Sequence, residues 1–241
     1  MQLERLLHAQ GFGSRKECRA LIRSGHVSVA GEPCEDPFAE FDPGSSDGSP
    51  GIAFSVGDEQ WRFRAQAYVV LHKPTGYECS QKPTFHPSVF TLLPPQLLIR
   101  GVQCVGRLDQ DTTGLLLMSD DGQFIHRLTS PRHHVPKVYE ITLKHPMKPA
   151  QVQRLLDGVV LDDDPKPVRA EACELVDELH LRLTLTQGKY HQVKRMVAAV
   201  GNRVEGLHRS SFGDIVLTDD LPPGQWRWLT DNERAGLTGR R

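Results

Sequence analysis

An α+β protein in two parts is what this sequence predicts: a small N-terminal headpiece, then a larger body built on a mostly antiparallel mixed sheet. Three observations lead there. Two short helical patterns and a strand crowd into the residues before Glu32. The stretch from Glu32 to Gln60 carries eight acids and no Lys or Arg. From about Tyr68 onward strands alternate with short helices, without the regular βαβ spacing of a doubly wound sheet.

In chain order, Leu3, Leu6 and Leu7 recur at helical spacing and stop at Gly11-Phe12-Gly13. Ser14 reads as the N-cap of a second helix, with Glu17 three residues on completing a capping box. That helix should bury Cys18, Leu21 and Ile22 and turn Arg15, Lys16, Arg19 and Arg23 outward, ending at Gly25. Residues 26–31 read as a strand closing on a turn, and residues 52–58 as the last strand of the same headpiece. Between them, residues 42–51 are poor in apolar groups and rich in Gly, Ser and Pro, the composition of a mobile surface loop. The expected boundaries are a headpiece over 1–60, a linker over 61–67, a body over 68–232 and a tail over 233–241.

In the body, Tyr68-Val69-Val70-Leu71 enters a Lys73-Pro74-Thr75-Gly76 turn. Tyr139, Ile141 and Leu143 alternate with polar residues, as do Leu179, Leu181, Leu183 and Leu185, so both runs read as half-buried strands. Val193, Met196, Val197 and Val200 follow helical spacing and stop at Gly201.

Composition narrows the function classes. With 38% hydrophobic and 24% charged residues the chain falls among ordinary globular proteins rather than disordered ones. No apolar run approaches the ~20 residues that span a bilayer, and the first residues lack a signal-peptide core. Five scattered cysteines form no Cys-x-x-Cys, which argues against a disulfide framework or a zinc site and for a cytoplasmic location. The adjacent His133 and His134 diverge on either a strand or a helix, so no metal is expected. The net charge of −1 does not exclude a polyanionic partner, since screening limits the reach of distant acids to about 8–10 Å.

The stretch Gly106-Arg107-Leu108-Asp109-Gln110-Asp111-Thr112-Thr113-Gly114 places an acid between a basic flank and a sharp turn. Asp109 there could serve as nucleophile, general base or metal ligand, and local physics does not choose among these. Asp111, just before Thr-Thr-Gly, reads more simply as a turn former or cap.

Resemblance goes further. The headpiece pattern resembles the alpha-L RNA-binding fold shared with ribosomal protein S-four, with Ala30 standing where Asn or Asp is usual. Four blocks in the body, residues 71–77, 106–115, 137–139 and 188–196, resemble the pseudouridine synthases that modify ribosomal RNA. Residues 129–134, the His191-to-Met196 form of the last block, and Gly206-Leu207-His208-Arg209 look most like the small-subunit (16S) branch.

The resemblance implies an isomerase that needs no cofactor and no metal, takes ribosomal RNA as its partner and works as a monomer. It makes Asp109 the catalytic acid and Lys194 the cation that keeps it ionised. It sets the Tyr139 ring against the target base, which must leave its stack to enter the pocket. Arg107 would fill the vacated space. Arg132, His133 and His134 would touch folded RNA, as would His191 and Gln192 in the last block and Arg15, Lys16, Arg19 and Arg23 in the headpiece. Lys73 would shape the cleft wall against RNA, or serve the structure only. Two rivals stand beside this reading: a large-subunit synthase of the same family, and a non-catalytic RNA-binding assembly factor.

Overall fold

Short amphipathic helices need a sheet to cover their apolar stripe, and the headpiece supplies one. The computed structural model describes residues 1–44, 50–162 and 164–239. Helices α1 (Leu3–Ala9) and α2 (Arg15–Arg23) pack on strands β1 (Val27–Val29), β2 (Glu32–Pro33), β3 (Ala53–Val56) and β4 (Glu59–Arg62), ordered β2-β1-β3-β4. Leu3, Leu6, Leu7, Cys18 and Ile22 meet Val27, Val29 and Phe54 in a closed core. The Ser14–Glu17 capping box forms as expected, with Glu17 N–H donating to Ser14 Oγ and Ser14 N–H to Glu17 Oε2. Ala30 and Gly31 both take positive φ, 52° and 90°, in the two-residue turn joining β1 to β2. This conformation suits Asn or Asp better than alanine, which pays about 1 kcal/mol for it.

Three expectations need correction. The headpiece sheet does not end at residues 52–58, because β4 follows through a Gly57–Asp58 turn that pairs Val56 with Glu59. Phe63, from the expected linker, packs into the headpiece core. Of the tail expected at 233–241, the described residues 233–239 are not plain: α7 (Asp231–Thr238) is capped by Thr230 and Glu233 and buries Leu237. Of the loop expected at 42–51, residues 45–49 lie outside the described residues.

The body is a nine-stranded sheet. In chain order it holds β5 (Tyr68–Lys73), α3 (Pro95–Ile99), β6 (Gln103–Cys104), β7 (Thr113–Ser119), α4 (Gly122–Thr129), β8 (Lys137–Leu143) and α5 (Pro149–Asp157). A β9 (Val159–Leu161) and β10 (Asp164–Val168) hairpin follows, then β11 (Ala172–Leu175), β12 (His180–Leu185), α6 (Gln192–Ala199), β13 (Val204–Phe212), β14 (Ile215–Val216) and β15 (Trp226–Trp228). The order is β11-β12-β8-β13-β7-β5-β15, antiparallel except where β7 meets β13, with β6 on β7 and β14 on β13. β5 and β7 are buried on both faces, as central strands should be. Tyr139, Ile141 and Leu143 face one core, while Phe124, Leu128 and Phe212 help to fill the other. Among the described residues no helix is long and apolar enough to cross a membrane.

The headpiece sits against the body through a buried polar knot. Gln10 accepts from Arg64 N–H at 3.0 Å and from Arg100 Nη1 at 3.0 Å, and donates to the Arg64 carbonyl at 2.9 Å. Arg100 is in turn paired with Asp120 at 2.7 Å. Gly11 lies so close to α3 that a Cβ there would stand 2.1 Å from the Gln96 carbonyl oxygen.

Candidate active site

β7 begins where the parallel contact with β13 is tightest. At Gly114, with φ at +107°, a Cβ would fall 2.3 Å from the Arg209 carbonyl oxygen, so only glycine lets the two backbones approach. The loop that feeds β7 carries Asp109 and Asp111, and Thr112 N–H closes it by donating to the Asp109 carbonyl at 3.1 Å.

Behind this loop lies Lys73, at the end of β5. It is fully buried, and its Nζ donates to the carbonyls of Pro74 at 3.1 Å, Gln110 at 3.1 Å and Thr112 at 2.8 Å. Burial pushes its ammonium below the ordinary lysine value. Lys73 therefore does not face RNA, which corrects the expectation of a substrate contact. The three carbonyl oxygens replace the hydrogen bonds to water that burial takes from its ammonium.

In front of the loop lies α6. His191 takes a left-handed φ of 48° at its N-cap, and Lys194 follows in the first turn. Lys194 Nζ stands 3.1 Å from Asp109 Oδ2 and 2.7 Å from Asp111 Oδ1. His191 Nε2 stands 3.4 Å from Asp109 Oδ1. Each oxygen of Asp109 thus has a cationic or cationisable neighbour. Burial alone would lower the Lys194 pKa, but its bonds to Asp111 and Asp109 outweigh burial and hold it above the ordinary value. Burial would likewise raise Asp111, yet the hydrogen bond and charge of Lys194 keep its carboxyl below the ordinary range. Asp111 is thus a partner of Lys194 as well as a turn residue, and the sequence offered no sign of this.

These groups line an open cleft of about 870 Å³, within the roughly 300–1,000 Å³ of small-ligand sites. Tyr139 lines it while its ring packs in the core. Leu185, Val193 and Leu207 add apolar wall. Arg107 lies exposed on the lining, with no ion pair among the described residues.

Other expected contacts fall elsewhere. Gln192 stays on the cleft lining but is buried, accepting from Lys189 N–H at 2.8 Å and donating to Met196 Sδ, so it steadies the turn before α6. Arg132, His133 and His134 are exposed on a turn whose neighbours Thr129 and Pro131 line the cleft while they themselves do not. Arg15, Lys16 and Arg23 are exposed on α2, away from the cleft. Arg19 was expected to point outward, but it leans back onto buried Glu4 at 2.5 Å.

Two cleft cations carried no role in the sequence. Arg209 is buried, and its Nε donates to the Leu115 carbonyl at 2.8 Å. Lys137 Nζ donates to the Val135 carbonyl at 2.8 Å over the Phe212 ring, and burial, with Arg209 nearby, pushes it down to about 8. The Leu115 carbonyl that holds Arg209 and the Phe212 ring under Lys137 lie on other strands, where no local pattern announces them.

A carboxylate braced by Lys194 and His191 beside an aromatic wall suits attack on, or proton removal from, a flat polar substrate. Comparisons with known proteins agree with this layout. The body matches the RNA pseudouridylate synthase family over residues 67–199, and the headpiece matches the S4 domain over residues 1–44. The chain is 40% identical to the ribosomal small subunit pseudouridine synthase A of Yersinia pestis, covering 98% of both chains. It is 39% identical to the protein of that name in Escherichia coli strain K12, over 98% of this chain and 100% of that one. A crystal structure of a pseudouridylate synthase superposes with a TM-score of 0.68 at 33% identity, covering 98% of this chain and 99% of that one. With the catalytic body matched and likeness running from end to end, the chain belongs to the RNA pseudouridylate synthase family.

Proposed function

We propose that this synthase isomerises a uridine of small-subunit ribosomal RNA to pseudouridine, with Asp109 as the catalytic carboxylate. The observation that carries the proposal is Asp109 itself, in an open cleft, with Lys194 at one oxygen and His191 at the other. The choice of small-subunit RNA rests on relatives that carry that name and align over nearly the whole chain.

The chemistry needs no co-substrate. The bond from uracil N1 to ribose C1′ breaks, the detached base turns, and C5 bonds to C1′. The C5 proton leaves to solvent while N1 gains one, so the product is an isomer. Asp109 acts on the sugar to break the first bond, and Lys194 keeps the carboxylate ionised. The Tyr139 ring holds the base as it turns, its hydroxyl directed to the C5 proton. Extruding the uridine costs a few kcal/mol, and Arg107, exposed beside the cleft, is suited to occupy the vacated space. The headpiece, with Arg15, Lys16 and Arg23 on α2, adds phosphate contacts. One chain supplies every group named, so no partner subunit is required.

Tritium release from a C5-labelled small-subunit rRNA transcript tests the reading. Asp109→Asn should lower the single-turnover rate by about 10³-fold. A variant that keeps the wild-type rate would remove Asp109 from the chemistry.

A further inference from the structure

Phe85 is 88% exposed, the most exposed of the large apolar side chains, and it lines the cleft. A lone surface phenylalanine is ordinary, but the loop that carries this one is built to hold it. The Glu78 carboxylate accepts the backbone N–H of Phe85 at 2.9 Å, of Thr84 at 3.0 Å and of His86 at 3.0 Å. Those bonds, that from Phe85 foremost, hold the carboxyl below its ordinary range. The base of the loop is closed by Glu78 N–H to the Pro87 carbonyl and Val89 N–H to the Glu78 carbonyl, both at 2.9 Å. Ser88 Oγ ties across to the Ser80 carbonyl at 2.5 Å. A loop fastened at its base and again at its tip fixes an apolar ring in water, leaving that area to be covered by something that binds.

A second segment brings another ring to the same cleft. Tyr190 is 69% exposed and stacks on His191 with centroids 3.8 Å apart and planes 20° from parallel. Arg195 Nη1 holds the Tyr190 carbonyl at 3.1 Å. One face of Tyr190 is covered by the imidazole, and the side chain is otherwise largely exposed. Because His191 also stands 3.4 Å from Asp109, a path runs from the reacting carboxylate through His191 to Tyr190 at the rim.

We infer that Phe85 and Tyr190 form a stacking clamp for the unpaired bases on either side of the target nucleotide. This rests on the reading that the substrate is RNA. Extruding one nucleotide breaks the stack of its neighbours, whose faces then need a new partner, and a flat aromatic ring supplies it. Of the cations lining the cleft, Lys194 is taken up by Asp109 and Asp111 and Arg209 is buried, which leaves Arg107, exposed and in no ion pair among the described residues, to meet a phosphate. Every base has a π-face, so the clamp strengthens binding to opened RNA without reading base identity.

The test uses the full chain and a single-stranded RNA oligonucleotide carrying one uridine with 2-aminopurine on both sides. Wild-type protein and Phe85→Trp should quench the fluorescence on binding. Phe85→Leu and Phe85→Ala should lose about half of the quenching, Tyr190 still covering the other base, and bind about tenfold more weakly. With the small-subunit transcript, tritium release by the Leu variant should fall through KM and not through kcat. Leucine performing as well as phenylalanine, or undiminished quenching in the alanine variant, would overturn the clamp. Phe85-dependent quenching with no tritium release by wild type would keep the clamp and refute the proposed reaction. Tritium release without such quenching would do the reverse.

Discussion

Two lysines grip the same loop from opposite sides, and they do different work. Lys73 lies behind residues 109–112, out of reach of water, and holds the backbone carbonyls of Gln110 and Thr112. Lys194 lies in front, half-buried, and holds the carboxylates of Asp109 and Asp111. Their pKa directions part accordingly, Lys73 below the ordinary value through burial and Lys194 above it through its anionic partners. The lesson concerns how a strong charge is used. Facing dipoles it sets the shape of a loop, and facing charges it holds a carboxyl, that of Asp111, below its ordinary range.

Lys73→Met gives the largest expected effect. It leaves the Thr112 and Pro74 carbonyls without that donor, whereas the Gln110 carbonyl keeps the Gly76 N–H at 2.8 Å. A loss of about 3–5 kcal/mol in urea unfolding is expected, with activity failing alongside. A loss under about 1 kcal/mol would show that the backbone holds the loop unaided. Lys194→Ala should invert the pattern. Stability should change by less than about 1 kcal/mol, since the pair is partly solvated, while kcat falls about 10²-fold. The acid limb of its pH–rate profile should also move to higher pH, because the carboxylates lose the cation that opposes protonation. An unmoved profile would break the contrast between the two lysines.

Much of this was legible before any coordinates. The Ser14–Glu17 box, the alternating strand at Tyr139 and the α6 stripe at Val193, Met196 and Val197 each rest on neighbours in sequence. What escaped depends on distant partners. Lys73 sits in a Lys-Pro-Thr-Gly turn, where a charge normally finds water, and the carbonyls that bury it come from residues 37 and 39 positions away. Gln192 belongs to a basic stretch and reads as a surface residue until α6 turns it inward. β4 was hidden because its short Gly-Asp turn lies in the acidic stretch and reads as the end of the domain. α7 did leave a signal, the Thr230-to-Glu233 capping box, but only Leu237 gives it a deeply buried residue. Glu78 had no signal at all, since the turn it ties together returns only at residues 84–86.

The smallest effect sharpens the comparison on the front side of the loop alone. Asp111→Asn keeps the shape of the side chain but removes one of the two charges on Lys194. Asp111 is 51% exposed, so the pair contributes no more than about 1 kcal/mol, less in high salt. The sign follows from the directions of the shifts. The folded-state pKa of Asp111 lies below its ordinary 3.8, so its contribution is present above that pH and is lost as pH falls through the folded value. The folded-state pKa of Lys194 lies above 10.5, so its share is present below that pH and is lost as pH rises through the folded value. The stability gap between wild type and Asp111→Asn should therefore be flat through neutral pH and close on the acid side below about pH 4. Tritium release should fall only a few-fold, because Asp109 keeps Lys194 to itself. A collapse as deep as that of Asp109→Asn would make the two acids one catalytic unit, with Lys194 holding a shared charge.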